Sequence, residues 1–401
     1  DVSSEAVASG ALAAACAAAA AALPRAAASG SYARVALLTF DHNVAVWRLR
    51  GAAPPLSVVL PVNKLMPTPV AAAANLLNFT QSVAPLAALL ARLPEMHAAA
   101  ADDSGAAAQA AARRGGGGGG AADEEEVEEA ASGAALPAAV HTAMALLEGA
   151  PGTLVVLSGS GATAGPGKRT REMPLPPASA EEAATHAAAL ERLTRPEGPL
   201  LETLAKQCSD AQLVVELVVA PGVASTFCDV ASLSTLPAIT GGQLRHVPGI
   251  AEDRGGGTGG GGEEGVRATL EAAVTAAVLG PGGGVGGEGG EAQVVAGHDA
   301  VLRLRASSGL RPRHVVQPSG GGDEAAAASG VIALPMVDRH LSFALELSHD
   351  PKVPPPRVAR EAAACNRVHP GCVHMHMHMH MHMHMHMLMP MCPGAALRAG
   401  R

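Results

Sequence analysis

Residues 225–249 read Ser-Thr-Phe-Cys-Asp-Val-Ala-Ser-Leu-Ser-Thr-Leu-Pro-Ala-Ile-Thr-Gly-Gly-Gln-Leu-Arg-His-Val-Pro-Gly. Asp229 stands where a helix N-cap belongs, because a short carboxylate can accept an N–H that the first turn leaves unpaired. Val230, Ala231, Leu233 and Leu236 follow as the apolar residues of that helix. Pro237, which has no N–H to donate, is expected to stop it. Gly241-Gly242 supplies a turn, and Gln243–Val247 returns as a short strand. The stretch therefore predicts a helix, a Gly-Gly turn and a strand at the edge of an α/β sheet.

The neighbouring segments extend that sheet. Thr153–Ser158 and Gln212–Val219 are short apolar runs of the kind found in strands buried on both faces, and Arg34–Phe40 is a third. Val44–Leu49 alternates and predicts a hairpin partner for Arg34–Phe40, with Asp41-His42-Asn43 as the turn, and Leu56–Val62 adds another short strand. Asp1–Ser3 reads as the last residues of a strand, followed by an Ala-rich helix to about Ala22, where Pro24 is expected to end it. Apolar spacing predicts further helices from Ser82 and over Leu136–Leu147, Glu181–Leu193, Leu200–Cys208 and Val266–Leu279. Alternating strands and helices predict an α/β fold with a mostly parallel sheet covered by helices on both faces. Ala300–Arg305, Val331–Met336 and Leu341–Leu347 alternate, which predicts a small antiparallel β-sandwich after the sheet.

The domain plan follows. Residues 1–279 form the α/β domain, interrupted by low-complexity inserts at 97–134 and 254–262. Residues 280–291 are a Gly-rich linker, 292–350 a partial β-sandwich, and 351–401 a disordered tail. That tail holds seven His-Met pairs over residues 374–387. Strict two-residue alternation is what a translated simple nucleotide repeat produces, and nothing there fixes ligand geometry, so metal binding is read as adventitious.

Composition narrows the function. Aromatics are 1% of the 401 residues, so Leu, Val and Ala must build the core. The formal net charge is −8, and no stretch clusters basic residues with aromatics, so no nucleic acid partner is expected. Cys16, Cys208, Cys228, Cys365, Cys372 and Cys392 are scattered without a Cys-x-x-Cys pair, which suits reduced thiols in the cytosol. The most apolar stretch, Val7–Leu23, is mostly Ala and a weak membrane anchor.

Two site patterns come near known chemistry and fall short. Residues 159–170 follow a strand and contain Gly165-Pro-Gly167-Lys168, but Ala162 stands at the first Gly of a phosphate-binding loop and Arg169 at its metal-ligating hydroxyl. Asp1-x-Ser3 at a strand end suggests a von Willebrand factor A-type fold with a metal-dependent adhesion site. The fifth position is Glu5 rather than Ser, and Ser158 and Ser160 have no Asp beside them. His42, His141, His186 and His246 are isolated. No catalytic, cofactor-binding or metal-binding residues are assigned, and no enzyme is expected.

In order along the chain, several motifs resemble the trunk domain of the inner COPII coat's large subunits. These are Arg34–Asp41 with Val44–Leu49, Met66-Pro-Thr-Pro69 followed by Leu86–Leu93, Gly165-Pro-Gly167, and Leu204-Ala-x-x-Cys208 with Gln212–Val219. Asp229–Gln243, Asp299–Gly309 and Leu341–Leu347 complete the set. Pro67-Thr-Pro69 and Asp229–Gln243 make the resemblance closer to the cargo adaptor than to its sister subunit. The resemblance implies an A-type trunk and a non-enzymatic coat component in cargo selection and vesicle formation between endoplasmic reticulum and Golgi. It implies a heterodimer with the sister subunit, contact with cargo and SNARE proteins, and peripheral placement on the cytoplasmic face of the endoplasmic reticulum membrane. The family's zinc finger has no counterpart in these residues, so no cofactor is expected in this chain, nor are the family's helical and gelsolin-like domains. The alternative reading of the same fold is a metal-dependent adhesion or ligand-binding module.

Overall fold

The computed structural model describes residues 1–28, 33–49, 54–62, 76–114, 133–147, 149–177, 179–251, 263–279, 296–303, 310–316, 330–338 and 344–349. The chain opens with helix α1 (Ser4–Ser9), capped by the Ser3 hydroxyl and closed by Gly10 in the left-handed conformation. Helix α2 (Ala11–Ala28) follows. Strands β1 (Arg34–Val35), β2 (Leu37–Phe40), β3 (Asn43–Arg48), β4 (Leu56–Pro61) and β5 (Leu77–Asn78) lead to helix α3 (Phe79–Arg114). Then come α4 (Leu136–Leu147), β6 (Gly152–Ser158), α5 (Ala180–Leu193), α6 (Leu200–Asp210) and β7 (Leu213–Val219). The stretch 225–249 forms α7 (Val230–Leu233), α8 (Thr235–Thr240) and β8 (Leu244–His246), after which α9 (Glu263–Leu279) follows. The last strands are β9 (Ala296–Arg303), β10 (Leu310–Val316), β11 (Val331–Asp338) and β12 (Ala344–His349).

The fold is mixed α/β around a small parallel sheet ordered β6-β7-β8, with β8 at its edge as expected. A second sheet, β2-β3-β4, is antiparallel throughout. The expectation of a mostly parallel sheet is corrected here: two-residue and short connections cannot carry a chain back to a parallel start, so β2, β3 and β4 form hairpins. Asp41 makes the first turn, its carboxylate accepting the Asn43 N–H at 2.7 Å. Arg34–Phe40 is not one continuous strand either. Ala36 interrupts it, and β1 pairs with β5 while β2 pairs with β3.

Helices cover both faces of the parallel sheet, as the alternation of elements required. Leu154, Val156, Leu213, Val215, Leu217 and Val219 pack with residues of α4, α6 and α8. Val155, Leu157 and Val218 lie in the opposite core with α2, α3 and α9. Successive strand residues thus feed two cores, which is why the runs are apolar throughout.

Three proline and alanine readings are corrected. Pro24 lies inside α2, which continues to Ala28; Ala18, Ala19, Leu23 and Ala26 are buried in the core shared with α3 and α9, and that packing outweighs the lost backbone bond. Pro237 lies in the first turn of α8, where a missing N–H is tolerated, and the helix stops instead at left-handed Gly241. Helix α3 runs to Arg114, through an Ala-rich run assigned to the insert beginning at residue 97; Ala is the strongest helix former. Ala134 is fully buried, so order also resumes before the insert's expected end. The rest of that insert, all of 254–262, the 280–291 linker, Met66–Pro69 and the whole His-Met tail lie outside the described residues.

Among the described residues α2 is the one helix long and apolar enough to cross a membrane. At the far end, β9 pairs with β11 and β10 with β12, giving two antiparallel pairs whose strands interleave in sequence. Strand β10 had no clear sequence signal, because Arg311-Pro-Arg313-His314 breaks the apolar alternation. Its register shifts between Pro312 and His314, the kind of irregularity that admits proline into a strand.

Candidate functional site at the carboxyl end of the parallel sheet

Open α/β sheets bind ligands beyond the carboxyl ends of their strands, so that end of β6 and β7 is where chemistry would sit. The structure brings Asp1, Ser3, Ser158 and Ser160 together there, as an adhesion-type metal site would need. The polar groups of Asp1, Ser3 and Ser158 are nevertheless spent on the backbone and on one another, while Ser160 Oγ is buried without a hydrogen-bond partner among the described residues. Asp1 Oδ1 accepts the Ser3 N–H at 2.9 Å, and Oδ2 accepts the Gly159 N–H at 2.7 Å and the Ser158 hydroxyl at 3.1 Å. Ser158 Oγ accepts the Gly161 N–H at 3.0 Å, while Ser3 Oγ caps α1. Helix α1 rests directly on this loop, so close that a Cβ built on Gly159 would stand 2.7 Å from the Ala6 Cβ. A hard divalent cation needs several convergent oxygens and room between them. One carboxylate already bonded to two N–H groups and a hydroxyl, under a packed helix, does not fit it.

The phosphate-loop look-alike is equally closed. The N–H groups of Thr163 and Ala164 both bond the Ala134 carbonyl, at 3.0 and 3.1 Å, and the Arg169 N–H bonds the Ala162 carbonyl at 2.9 Å. Ala162 and Ala164 are buried. Amides spent inside the loop cannot cradle a phosphate. Cys16, Cys208 and Cys228 are free, buried thiols whose pKa values burial pushes up to about 11, so they stay protonated and unreactive at neutral pH. No cluster of three or more metal-ligating side chains occurs among the described residues.

The most highly connected polar group at this end is Arg171. Its NH1 donates to the Arg192 and Arg195 carbonyls at 2.7 and 2.9 Å. Its NH2 donates to both Asp229 carboxylate oxygens, at 3.0 and 3.1 Å, and to Ser232 Oγ at 3.0 Å. Nε lies 3.5 Å from Glu197, whose carboxylate also accepts the Thr170 N–H at 3.2 Å and its hydroxyl. Glu197 in turn donates its N–H to Ser232 Oγ at 2.7 Å. The clamp joins the loop after β6, the end of α5 and the start of α7. Asp229 is 4% exposed and sits at φ 45°, a left-handed conformation that short polar residues tolerate best.

The expected N-cap is therefore real: Asp229 accepts the Ser232 N–H at 3.4 Å. Sequence reasoning gave Asp229 that one task and missed Arg171, Glu197 and Ser232. Beyond the clamp, residues 171–177 run over the surface, with Met173 52% and Leu175 86% exposed. The arrangement holds no nucleophile beside a base and presents an anchored, partly apolar ridge. A second buried ion pair, Glu216 with Arg245, ties the middle of β7 to β8.

The clamp has an acid limit. Burial opposes charge on Glu197, but the Thr170 hydroxyl and N–H and the Arg171 guanidinium together hold its pKa below the usual 4.5. Folding thus favours the carboxylate. Its contribution is complete above the unfolded value and is lost as pH falls through the lower folded one. In melts from neutral pH to below 4.5, the advantage of the unaltered protein over Glu197→Gln is expected to shrink in that acid range; a constant difference would refute the assignment.

Residues 122–254, which contain α4 through β8, match the family profile described as the Sec23/Sec24 trunk domain. The crystal structure of the human COPII-coat protein Sec24c superposes with a TM-score of 0.58 at 17% identity, covering 87% of this chain and 38% of that one. At that identity the likeness is one of fold, and this chain spans well under half of the solved protein. No curated protein sequence matches.

Proposed function

We propose, from the premise that this chain carries a Sec23/Sec24 trunk domain at residues 122–254, that it is a structural component of the COPII coat acting in transport from endoplasmic reticulum to Golgi. The observation that carries this reading is the profile match, which falls on the elements that form the parallel sheet and the Arg171 clamp. The site geometry agrees: a closed Asp1 corner, an internally bonded loop and protonated thiols suit a scaffold better than a catalyst. The finer assignment, a cargo adaptor that pairs with a sister subunit at the cytoplasmic face of the membrane, is supported by the Asp229–Gln243 motif and by the fold of Sec24c.

A trunk that works by docking should hold its partner without turnover. The 401-residue chain, immobilised at low salt, is expected to retain the sister coat subunit from cytosol, identified by mass spectrometry. It is not expected to support vesicle budding alone. Failure to retain that subunit, with the chain shown to be folded by circular dichroism, would overturn the coat reading and leave only a shared fold.

A further inference from the structure

Residues 173–177 read Met-Pro-Leu-Pro-Pro and follow closely on the Arg171 clamp. They belong to no helix or strand and make no hydrogen bond among the described residues. Covalent geometry sets their shape instead. Pro174, Pro176 and Pro177 each fix their own φ near −65°, and each keeps the residue before it out of the helical region. Met173–Pro177 is therefore a short polyproline II strap, stiff without any internal hydrogen bond. Three residues per turn put Met173 and Pro176 on one ridge, Pro174 and Pro177 on a second, and Leu175 on the third. Pro174 is half-buried against the fold, whereas Met173, Leu175, Pro176 and Pro177 are exposed. Both ends of the strap are tied down. Arg171 holds the first through Asp229, Ser232 and the Arg192 and Arg195 carbonyls. Beyond the second, Ser179 Oγ accepts the Glu182 N–H at 3.3 Å and starts α5.

We propose that this strap is the ligand of a proline-recognition module on another protein, which grips Leu175 and Pro176 in a groove walled by aromatic side chains. The chemistry of the partner follows from that of the strap. Proline rings and the Leu175 side chain offer apolar surface to aromatic faces, and backbone carbonyls left unbonded by the fold accept from Trp N–H or Tyr O–H donors. The strap is already in the shape that such a groove binds, so docking freezes little further motion. The clamp also excludes one kind of reader. Arg171 stands three residues before Pro174 and six before Pro177, the spacing at which an SH3 groove takes a cation into an acidic pocket. Here that guanidinium is bonded within the fold and is not on offer. The partner groove is therefore of the WW or EVH1 kind, reading proline without a cation. The inference does not rest on the coat reading.

The test titrates purified WW, EVH1 and SH3 domains into the 401-residue chain by calorimetry. The control is a Leu175→Ser/Pro176→Ala double variant, whose changes fall on exposed side chains and should leave the melting temperature unaltered. A WW or EVH1 domain is expected to bind the chain with micromolar Kd and to lose about tenfold or more on the double variant. A capped peptide of residues 171–177 is expected to bind the same domain several-fold more weakly than the chain, because its ends float. No binding by any of these domains, equal binding of the double variant, binding confined to SH3 domains, or a peptide that binds as well as the chain would each overturn the proposal. So would cosedimentation of the chain, but not of the variant, with phosphatidylserine vesicles in place of domain binding, which would assign the strap to a membrane.

Discussion

Arg171→Ala is expected to destabilise the fold by about 3–5 kcal/mol, the range for leaving one member of a buried ion pair without its partner. Asp229 is nearly inaccessible and Arg171 only 19% exposed, so water cannot replace the guanidinium cheaply. Five hydrogen bonds to four residues end on this one side chain. Lysine, a single charge without the planar fork, can restore few of them, so Arg171→Lys should recover a minor part of the loss. Asp229→Asn keeps the cap and tolerates the left-handed backbone, whereas Asp229→Ala loses cap, charge and backbone preference together, so the alanine variant should be the worse. A local readout separates the clamp from general destabilisation: thermolysin should cut the Met173–Leu175 ridge in Arg171→Ala well below its melting temperature. An Arg171→Ala protein within about 1 kcal/mol of the unaltered one, and no better clipped, would mean that the clamp is surface decoration.

Legibility in the sequence followed the range of the forces involved. Strands β6 and β7 could be read because burial on both faces leaves a local mark, an unbroken apolar run. Helices α4 and α6 could be read because their apolar spacing repeats within a turn. What failed was decided by distant residues. Pro24 reads locally as a stop, and only the packing of Leu23 and Ala26 on α3 and α9 keeps α2 going. The break at Gly10 is also hidden, since an Ala-rich run on either side of one glycine looks like a single helix. The antiparallel character of β2-β3-β4 was half visible in the Asp41-His42-Asn43 turn and was wrongly folded into a mostly parallel sheet.

The site divides in the same way. Asp229 announces itself as a cap because capping is a three-residue affair. Its ion partner lies 58 residues away, and Ser232 bonds Arg171 across 61. Neither separation leaves a pattern, and one Arg in the Lys168-Arg-Thr-Arg171 run after a Gly-Pro-Gly loop has many possible uses. Glu216 is a case where a signal existed. A carboxylate in the middle of Leu-Val-Val-Glu-Leu-Val-Val cannot be buried unpaired, so a cation on an adjoining strand was required, and Arg245 on β8 supplies it. By contrast, Asp1, Ser3 and Ser158 were correctly brought to one corner, but the direction of their oxygens belongs to tertiary structure alone.

The second large effect concerns Gly241-Gly242, where two adjacent glycines serve different ends. Gly241 closes α8 at φ 79°, so Gly241→Ala meets the left-handed penalty of about 1–2 kcal/mol. Gly242 has no such backbone demand, yet a Cβ built on it would stand 2.1 Å from the Val215 carbonyl oxygen and 2.7 Å from its carbon. Those atoms belong to the central strand β7 and cannot swing aside as a side-chain tip would. The turn is also stitched to that strand on both sides. The Val215 N–H donates to Thr240 Oγ1 at 3.0 Å, and the Leu217 N–H donates to the Gln243 carbonyl at 2.9 Å. Making room for one methyl therefore means pulling α8 and β8 together off β7. Gly242→Ala is expected to cost about 3 kcal/mol or more, at the upper end of overpacking, and clearly more than Gly241→Ala. Urea midpoints rank the two variants, and amide exchange should show Leu213–Val219 losing protection in Gly242→Ala while β3 and β4 lose less. If Gly241→Ala proved equal or worse, the close approach of this turn to β7 would be wrong, and with it the position of β8 as the edge of the parallel sheet.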